Sequence, residues 1–191
     1  MPVVIAKGFT IGATMANNCG MNARARFAPQ WAVMPQLAIK NHIMVLGFKT
    51  QIDSKPTYFV QKILACKIAV HADAFHPKRH TIRAGERWKA GMKIHMAVGV
   101  RTKKYFQFNG DGIGLDRVVS TQKIQIKYEN SNSDFPSIYI DGRKFSIFVK
   151  DDVPVLERLA LNDGFESFGK FLDWFSSDFS GQIIHWTDER Y

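Results

Sequence analysis

The chain has little cysteine, no long apolar run and no acidic residue before Asp53. Its two cysteines, Cys19 and Cys66, cannot build a disulfide framework or a four-thiolate zinc site. Such a cysteine content favours a reducing compartment, which predicts a cytoplasmic location. No stretch approaches the roughly 20 apolar residues that a membrane-spanning helix needs. Together these absences exclude a disulfide-stapled secreted domain and predict a soluble protein with no membrane partner.

The composition is that of a globular domain with an excess of positive charge. The 191 residues are 46% hydrophobic and 23% charged, which is enough apolar material for one domain with a real core. The formal net charge is +9 and the isoelectric point is near 9.6. This balance favours a polyanionic partner such as RNA or DNA, although many basic proteins bind no nucleic acid. The sequence does not indicate an oligomeric state.

The first 43 residues differ from the rest. They carry four basic residues and no acidic one, and they show no sustained period of 2 or 3.6. Three interpretations compete: an extension that adds a strand or covers an edge, an organelle transit peptide without serine, or residues upstream of a natural start at Met44. We favour the first or the third, and predict that residues 1–43 are a poorly ordered or loosely attached N-terminal extension. The working domain is then residues 44–191.

Regular patterns begin at Met44. The predicted strands are 44–48, 92–98, 123–128, 137–140, 143–149 and 182–186, and the predicted helices are 59–65, 154–160 and 164–175. Asp141-Gly142 predicts a tight hairpin turn between two of the strands. Residues 71–79 are predicted to be a loop. Strands outnumber helices and are joined mostly by hairpins or short helices, so we predict an α+β fold with a small mixed, barrel-like β-sheet and flanking helices.

A basic segment is the strongest functional signal. It reads Lys78-Arg79-His80-Thr81-Ile82-Arg83, and Arg87-Trp88-Lys89 follows it. Arginine and lysine can hold phosphates, while Trp88 or Tyr105 can offer a stacking face to a base. The alternative is a solvated basic loop. We predict a nucleic-acid-binding set of six residues, namely Lys78, Arg79, Arg83, Arg87, Trp88 and Lys89.

The order of these residues resembles a known family. Lys-x-x-Thr-Ile-Arg after a short helix, then Trp-Lys-x-Gly before a strand, is similar to the ASCH domain of the PUA-like superfamily. The run from Leu159 to Phe165, the helix through Trp174-Phe175 and the closing segment 181–186 extend the resemblance. It covers the chain from about Met44 to the end. It implies a small β-barrel with flanking helices and a cleft suited to RNA or a modified nucleobase.

The resemblance also implies a possible chemistry. Some small ASCH proteins are amidohydrolases that deacetylate acetylcytidine with a lysine, a threonine three residues later and a distant carboxylate. Lys78 and Thr81 match the first two, and Asp163 stands where a glutamate is expected. A threonine hydroxyl is a weak nucleophile that needs a neighbouring base or a lysine of lowered pKa. A carboxylate can hold that lysine or shuttle the proton.

We therefore expect a protein that binds RNA or a modified nucleoside in a basic cleft. The alternative is an amidohydrolase acting on an acylated cytidine, with Thr81 as nucleophile, Lys78 as activator and Asp163 as carboxylate. A third hypothesis is an accessory protein with a vestigial cleft. No cofactor is expected. No metal is expected either, because the spacing of His71, His76 and His80 fits no standard zinc pattern.

Structural roles compete for several of these residues. Asp163-Gly164-Phe165-Glu166 reads as a capping box, with Asp163 as the N-cap of the helix predicted at 164–175. Thr81 suits a strand because of its β-branch, and Lys78 could be solvated. His185 lies between apolar residues and is interpreted as a partly buried, hydrogen-bonded histidine. The aromatic stripe through Phe165, Phe168, Phe171 and Phe175 is interpreted as core.

Overall fold

The computed structural model describes residues 43–72, 74–110, 112–129 and 135–191. The predicted N-terminal extension lies outside these ranges except for Ile43. The strands are β1 (Met44–Phe48), β2 (Gln51–Ile52), β3 (Lys55–Pro56), β4 (His80–Ala84), β5 (Ile94–Val98), β6 (Phe106–Gln107), β7 (Ser120–Lys127), β8 (Ser137–Ile140), β9 (Arg143–Phe145) and β10 (Phe179–His185). The helices are α1 (Phe59–Leu64), α2 (Ala69–Ala72), α3 (Val153–Asn162) and α4 (Phe168–Trp174).

These strands form three sheets. The largest is antiparallel, with the order β4-β10-β7-β8-β9. A second sheet has the order β1-β5-β6, in which β1 and β5 are parallel, and β2 and β3 form a separate hairpin. The predicted α+β class is confirmed. None of the sheets formed by the described strands closes into a barrel.

The two faces of the largest sheet pack against different partners. Successive side chains of a strand point to opposite faces. Ile183 of β10 belongs to a core cluster with Leu159 of α3 and Phe171 of α4. Its neighbour Ile184 belongs to a second cluster that includes Leu46 of β1. Strand β10 is therefore buried on both faces, one under the helices and one against the sheet that contains β1, whereas β7 exposes alternate residues on one face.

Local patterns predicted most of these elements. Asp141 and Gly142 have φ angles of 48° and 87°, which confirms the predicted turn between β8 and β9. The aromatic stripe is core as predicted, since Phe171 is fully buried and Phe168 and Phe175 nearly so. The predicted 164–175 helix starts too early, because α4 begins at Phe168. Within the described part of the chain, no helix has both the length and the apolar character needed to cross a membrane.

Candidate functional site

The start of β4 and the end of α3 bring the three predicted catalytic residues into one pocket. Lys78 lies two residues before β4, Thr81 lies within it, and Asp163 directly follows α3. All three line a pocket of about 270 Å³. Its other lining residues are Gly47, Phe48, Lys49, Ile52, Phe59, Ile82, Arg83, Phe165, Trp174 and Phe175. Residues 85 positions apart in the sequence thus share one cavity, as the catalytic hypothesis requires.

Lys78 and Asp163 form a buried ion pair in this pocket. The Lys78 Nζ atom lies 2.6 Å from Asp163 Oδ1, and the two side chains are 2% and 8% exposed. The ammonium also donates to the backbone carbonyl of Asp163. The backbone N–H of Lys78 donates to the carbonyl of Lys62 in α1 at 2.8 Å. Lys78 is therefore a fixed, buried cation and not the solvated lysine that the sequence left open.

The C-terminus of α3 lies in close contact with this lysine. Gly164 has a φ of +94°, and the Phe165 N–H donates to the Ala160 carbonyl at 3.0 Å, as in a Schellman motif. A Cβ atom on Gly164 would lie 2.9 Å from a ring carbon of Phe59 and 3.2 Å from Lys78 Cδ. Only glycine fits this contact. The partial negative charge at the helix C-terminus also favours the Lys78 ammonium there.

Asp163 is not the N-cap that the sequence suggested. The N-cap of α4 is Ser167, whose Oγ accepts a hydrogen bond from the Lys170 N–H at 3.3 Å. The predicted capping box is wrong because the chain turns at Gly164, four residues before α4 begins. Asp163 instead ends α3, and its carboxylate is left to pair with Lys78. An Asp-Gly after an apolar helical run is also a signature of a helix end.

Burial shifts the pKa values of both partners in the directions that favour their neutral forms. It lowers the pKa of Lys78 to about 8, against the opposing effect of Asp163 and with smaller contributions from Arg83 and Lys62. Burial likewise raises the pKa of Asp163 above its usual range, although Lys78 and Arg83 counteract it. At neutral pH the Lys78 ammonium is thus close to losing its proton.

Thr81 and Arg83 complete the polar side of the pocket. Thr81 is 2% exposed, and its hydroxyl has no hydrogen-bond partner among the described residues. Arg83 donates from Nη2 to the Gly47 carbonyl at 2.8 Å, and its guanidinium carbon lies 5.7 Å from the centroid of the Phe48 ring. Alternation along β4 places both side chains on the same face of the sheet. A free hydroxyl and a fixed guanidinium therefore face the same cavity.

Aromatic rings form the other walls, and the sequence analysis missed them. Phe48 and Phe59 meet edge to face with centroids 6.2 Å apart, and the Lys78 Nζ lies 4.9 Å from the Phe59 centroid. Phe165 and Trp174, which come much later in the sequence, also line the pocket, and Trp174 is 51% exposed. No sequence spacing signals this wall, because its rings come from three separate segments.

Only part of the predicted nucleic-acid-binding set lines the pocket. Lys78 and Arg83 line the pocket, whereas Arg79, Arg87 and Lys89 do not. Arg87 and Lys89 are exposed, and Arg79 is half-buried with its N–H bonded to the Asn162 carbonyl at 2.9 Å.

Trp88 does not offer the stacking face that the sequence suggested. It is only 2% exposed and belongs to the core cluster beneath β1. The side chain of Gln182 holds its backbone on both sides, at 3.0 Å from the N–H and 3.1 Å from the carbonyl. The indole is buried because β10 fixes this segment. The charged residues on either side, Arg87 and Lys89, did not predict this burial.

A second buried polar group lies on the other face of the same sheet. His80 of β4, His185 of β10 and Ser120 of β7 are paired across neighbouring strands, and both histidines are fully buried. Tyr191 covers them, with its hydroxyl 3.3 Å from His80 Nδ1. His185 was expected to be hydrogen-bonded, yet neither of its ring nitrogens has a partner in the described structure.

Burial sets the charge state of this pair. It lowers the pKa of His185 to about 4, and the Arg190 charge adds to the effect. Burial, together with His185 and Lys78, places the pKa of His80 well below its usual value. Both imidazoles are therefore neutral near pH 7. No cluster of three or more His, Cys, Asp or Glu side chains suited to a metal ion occurs in the described part of the chain.

Comparisons of the chain with protein-family models, curated proteins and solved structures found no match. The resemblance to the ASCH family therefore stays a prediction that rests on the sequence motifs.

Proposed function

We propose that the pocket binds a modified pyrimidine nucleoside, either free or as a nucleotide of RNA, within a PUA-like domain. One observation supports this proposal above the others. An aromatic-walled pocket holds a fixed lysine, a fixed arginine and a free threonine hydroxyl on its polar side. The proposed cytoplasmic location rests on the cysteine content alone.

The pocket suits a planar ring with polar substituents. Rings such as Phe48 and Phe165 provide apolar surface against which a base can stack. Lys78 and Arg83 donate hydrogen bonds, and the Thr81 hydroxyl both donates and accepts. A base bearing a carbonyl and an exocyclic nitrogen satisfies such a mixed set. A few convergent polar groups in a mostly apolar cavity are typical of small-molecule sites.

Hydrolysis of an acylated base is a second candidate, favoured by the proximity of Lys78, Asp163 and Thr81. The Thr81 hydroxyl would attack the acyl carbonyl while neutral Lys78 takes its proton, and Arg83 would stabilise the developing oxyanion. Collapse would release the base amine, which takes the proton back from Lys78. Water would then cleave the threonine ester to release the acid. A lysine pKa of about 8 makes some neutral amine available near pH 7.

One feature ranks hydrolysis second. The Lys78 ammonium donates to Asp163, and in the described structure no hydrogen bond joins it to Thr81. The proton transfer would require Lys78 to turn toward Thr81 when substrate binds. Binding of a base requires no such rearrangement, so it is the simpler use of the pocket as it stands.

The experiment combines thermal shift with product analysis for a panel of modified nucleosides that includes acetylcytidine. Thr81→Val removes the hydroxyl and keeps the shape. Thr121→Val is the matched control, because Thr121 pairs with the other side of Ile184 and does not line the pocket. Stabilisation without turnover supports binding. Acetate release that Thr81→Val abolishes and Thr121→Val preserves supports hydrolysis. A panel that gives neither stabilisation nor turnover refutes both and favours a vestigial cleft.

A further inference from the structure

An open groove adjoins the pocket at one end of the three-stranded sheet β1-β5-β6. Strands β1 and β5 are parallel, with Phe48 opposite Val98, so the segments that follow both strands leave the sheet at the same end. Residues 47–51 line this groove together with Gly99 and Val100, and its volume is about 380 Å³. Gly47, Phe48 and Lys49 line both the groove and the pocket. A ligand longer than one nucleoside can therefore leave the pocket through this groove.

The segment that directly follows the groove residues Gly99 and Val100 is basic and aromatic. The loop reads Arg101-Thr102-Lys103-Lys104-Tyr105-Phe106, and its three cationic side chains are exposed. Tyr105 and Phe106 are 46% and 60% exposed. No acidic residue occurs between Glu86 and Asp111. The loop thus offers two aromatic faces and three positive charges to solvent at one place.

The loop is held in a defined shape. The Thr102 hydroxyl donates to the Gly99 carbonyl at 2.7 Å and accepts from the Lys104 N–H at 3.1 Å. Gly99 has a φ of +62°, and a Cβ there would collide with the Lys104 carbonyl. The turn therefore fixes where the cations and rings project, so little ordering entropy is lost when they meet a ligand.

Four cations near the groove have no carboxylate partner among the described residues. Lys49, Arg101, Lys103 and Lys104 form no ion pair with any described carboxylate. Lys49 lies at the junction of pocket and groove, with its Nζ 5.8 Å from the Trp174 ring. Unpaired cations along a groove attract phosphates, and exposed rings stack on unpaired bases.

We propose that the groove and the 101–106 loop bind a single strand of RNA whose modified nucleotide enters the pocket. The inference rests on the proposed function and specifies its substrate as a nucleotide within a strand. Phosphates flanking that nucleotide contact Lys49, Arg101, Lys103 and Lys104. The neighbouring bases stack on Tyr105 and Phe106. A duplex is excluded as the preferred ligand, because its bases are already stacked on each other and cannot reach the rings.

The test measures fluorescence anisotropy of labelled RNA ten-mers that carry one central cytidine or acetylcytidine. The first variant is Arg101→Gln/Lys103→Gln/Lys104→Gln. Its matched control, Lys127→Gln/Lys144→Gln/Lys150→Gln, makes the same change in net charge at exposed positions that line neither the pocket nor the groove. A second variant, Tyr105→Ala, removes one stacking face.

We expect the loop triple variant to bind the single strand at least tenfold more weakly. The slope of log affinity against log salt should fall by about 2, since each phosphate contact contributes about 0.7 in a single strand. Tyr105→Ala should weaken binding about fivefold or more. The control triple variant should stay within about twofold of wild type. Equal affinity of the loop variant and wild type, or tighter binding of a duplex, overturns the inference.

The design separates this inference from the proposed function. Wild type and the loop variants should give the same thermal shift with the free nucleoside, because the 101–106 loop does not line the pocket. If the nucleoside binds and the loop variants hold RNA normally, only the strand inference fails. If RNA binding depends on the loop but the free nucleosides bind neither wild type nor the loop variants, the pocket proposal fails and the loop surface stands.

Discussion

Replacing Asp163 with asparagine tests whether the buried ion pair is as tightly coupled as its geometry indicates. Asp163→Asn keeps the shape of the side chain and removes its charge. The Lys78 ammonium, 2% exposed, would then lack its counter-charge and keep only uncharged acceptors, namely the amide oxygen and the backbone carbonyl at position 163. Removing one partner of a buried pair typically costs about 3–5 kcal/mol. Since domains are stable by only about 5–15 kcal/mol, this loss should be large but measurable.

A double variant determines whether the cost is electrostatic. Lys78→Met/Asp163→Asn replaces the ammonium with an apolar chain of similar length. Replacing a whole buried pair is often neutral or stabilising, so we expect the double variant to recover most of the stability that Asp163→Asn loses. Losing the counter-charge also pushes the Lys78 pKa further below about 8, so the cost of Asp163→Asn should shrink as the pH rises.

The assay is urea unfolding of wild type, both single variants and the double variant at pH 7. The exposed pair Lys123–Glu86, 3.1 Å apart, provides the control, and Glu86→Gln should cost no more than about 1 kcal/mol. An Asp163→Asn variant within about 1 kcal/mol of wild type would refute the reasoning. So would a double variant whose loss equals the sum of the two single losses, because independent sites add.

Three further predictions concern Lys78, the buried histidines and Gly164. The folded pKa of Lys78, about 8, lies below its unfolded value of 10.5, so the unfolded chain binds more protons between these values. The stability of wild type relative to Lys78→Met should therefore rise from pH 8 to 10.5, and a flat difference in urea titrations would contradict this. Neutral His185 contributes stability above pH 6.5 that is lost as the pH falls toward 4, and the lowered pKa of His80 acts in the same direction. A pH series of melting temperatures should show a shallower acid loss for His185→Leu, and an unchanged profile would count against it. Gly164→Ala should cost about 1–2 kcal/mol from its φ of +94°, and should weaken nucleoside binding by displacing Lys78. If Gly164→Ala had wild-type stability and bound the nucleoside normally, the close contact between Gly164 and Lys78 would not matter for either.

The sequence predicted those parts of the fold that depend on neighbouring residues. Alternation identified β7, and Asp141-Gly142 identified the β8–β9 turn, because strand faces and tight turns are decided locally. The short strands β2, β3 and β6 were missed, since two-residue strands carry no period. Strand β4 was also missed, because its polar and charged residues do not alternate with apolar ones. The start of α4 was misplaced because Asp163-Gly164 was interpreted as a helix start, whereas Gly164, with a φ of +94°, ends α3 there.

The residues alone indicated only part of the site. The basic segment that contains Lys78 stands out by its charge, and the resemblance singled out Lys78, Thr81 and Asp163 within the chain. The pairing of Asp163 with Lys78 depends on how α3 packs beside β4, and no local pattern gives that. Trp88 shows the opposite error, since two charged neighbours suggested exposure while Gln182 holds the residue in the core.

The most direct test of the central claim is a crystal structure of the Thr81→Val variant grown with acetylcytidine, in which hydrolysis is blocked. The account predicts the pyrimidine ring inside the pocket, with its exocyclic group within hydrogen-bonding distance of Lys78 or Arg83. A nucleoside bound outside this pocket would contradict the account. So would crystals grown at saturating acetylcytidine that show no nucleoside in the pocket.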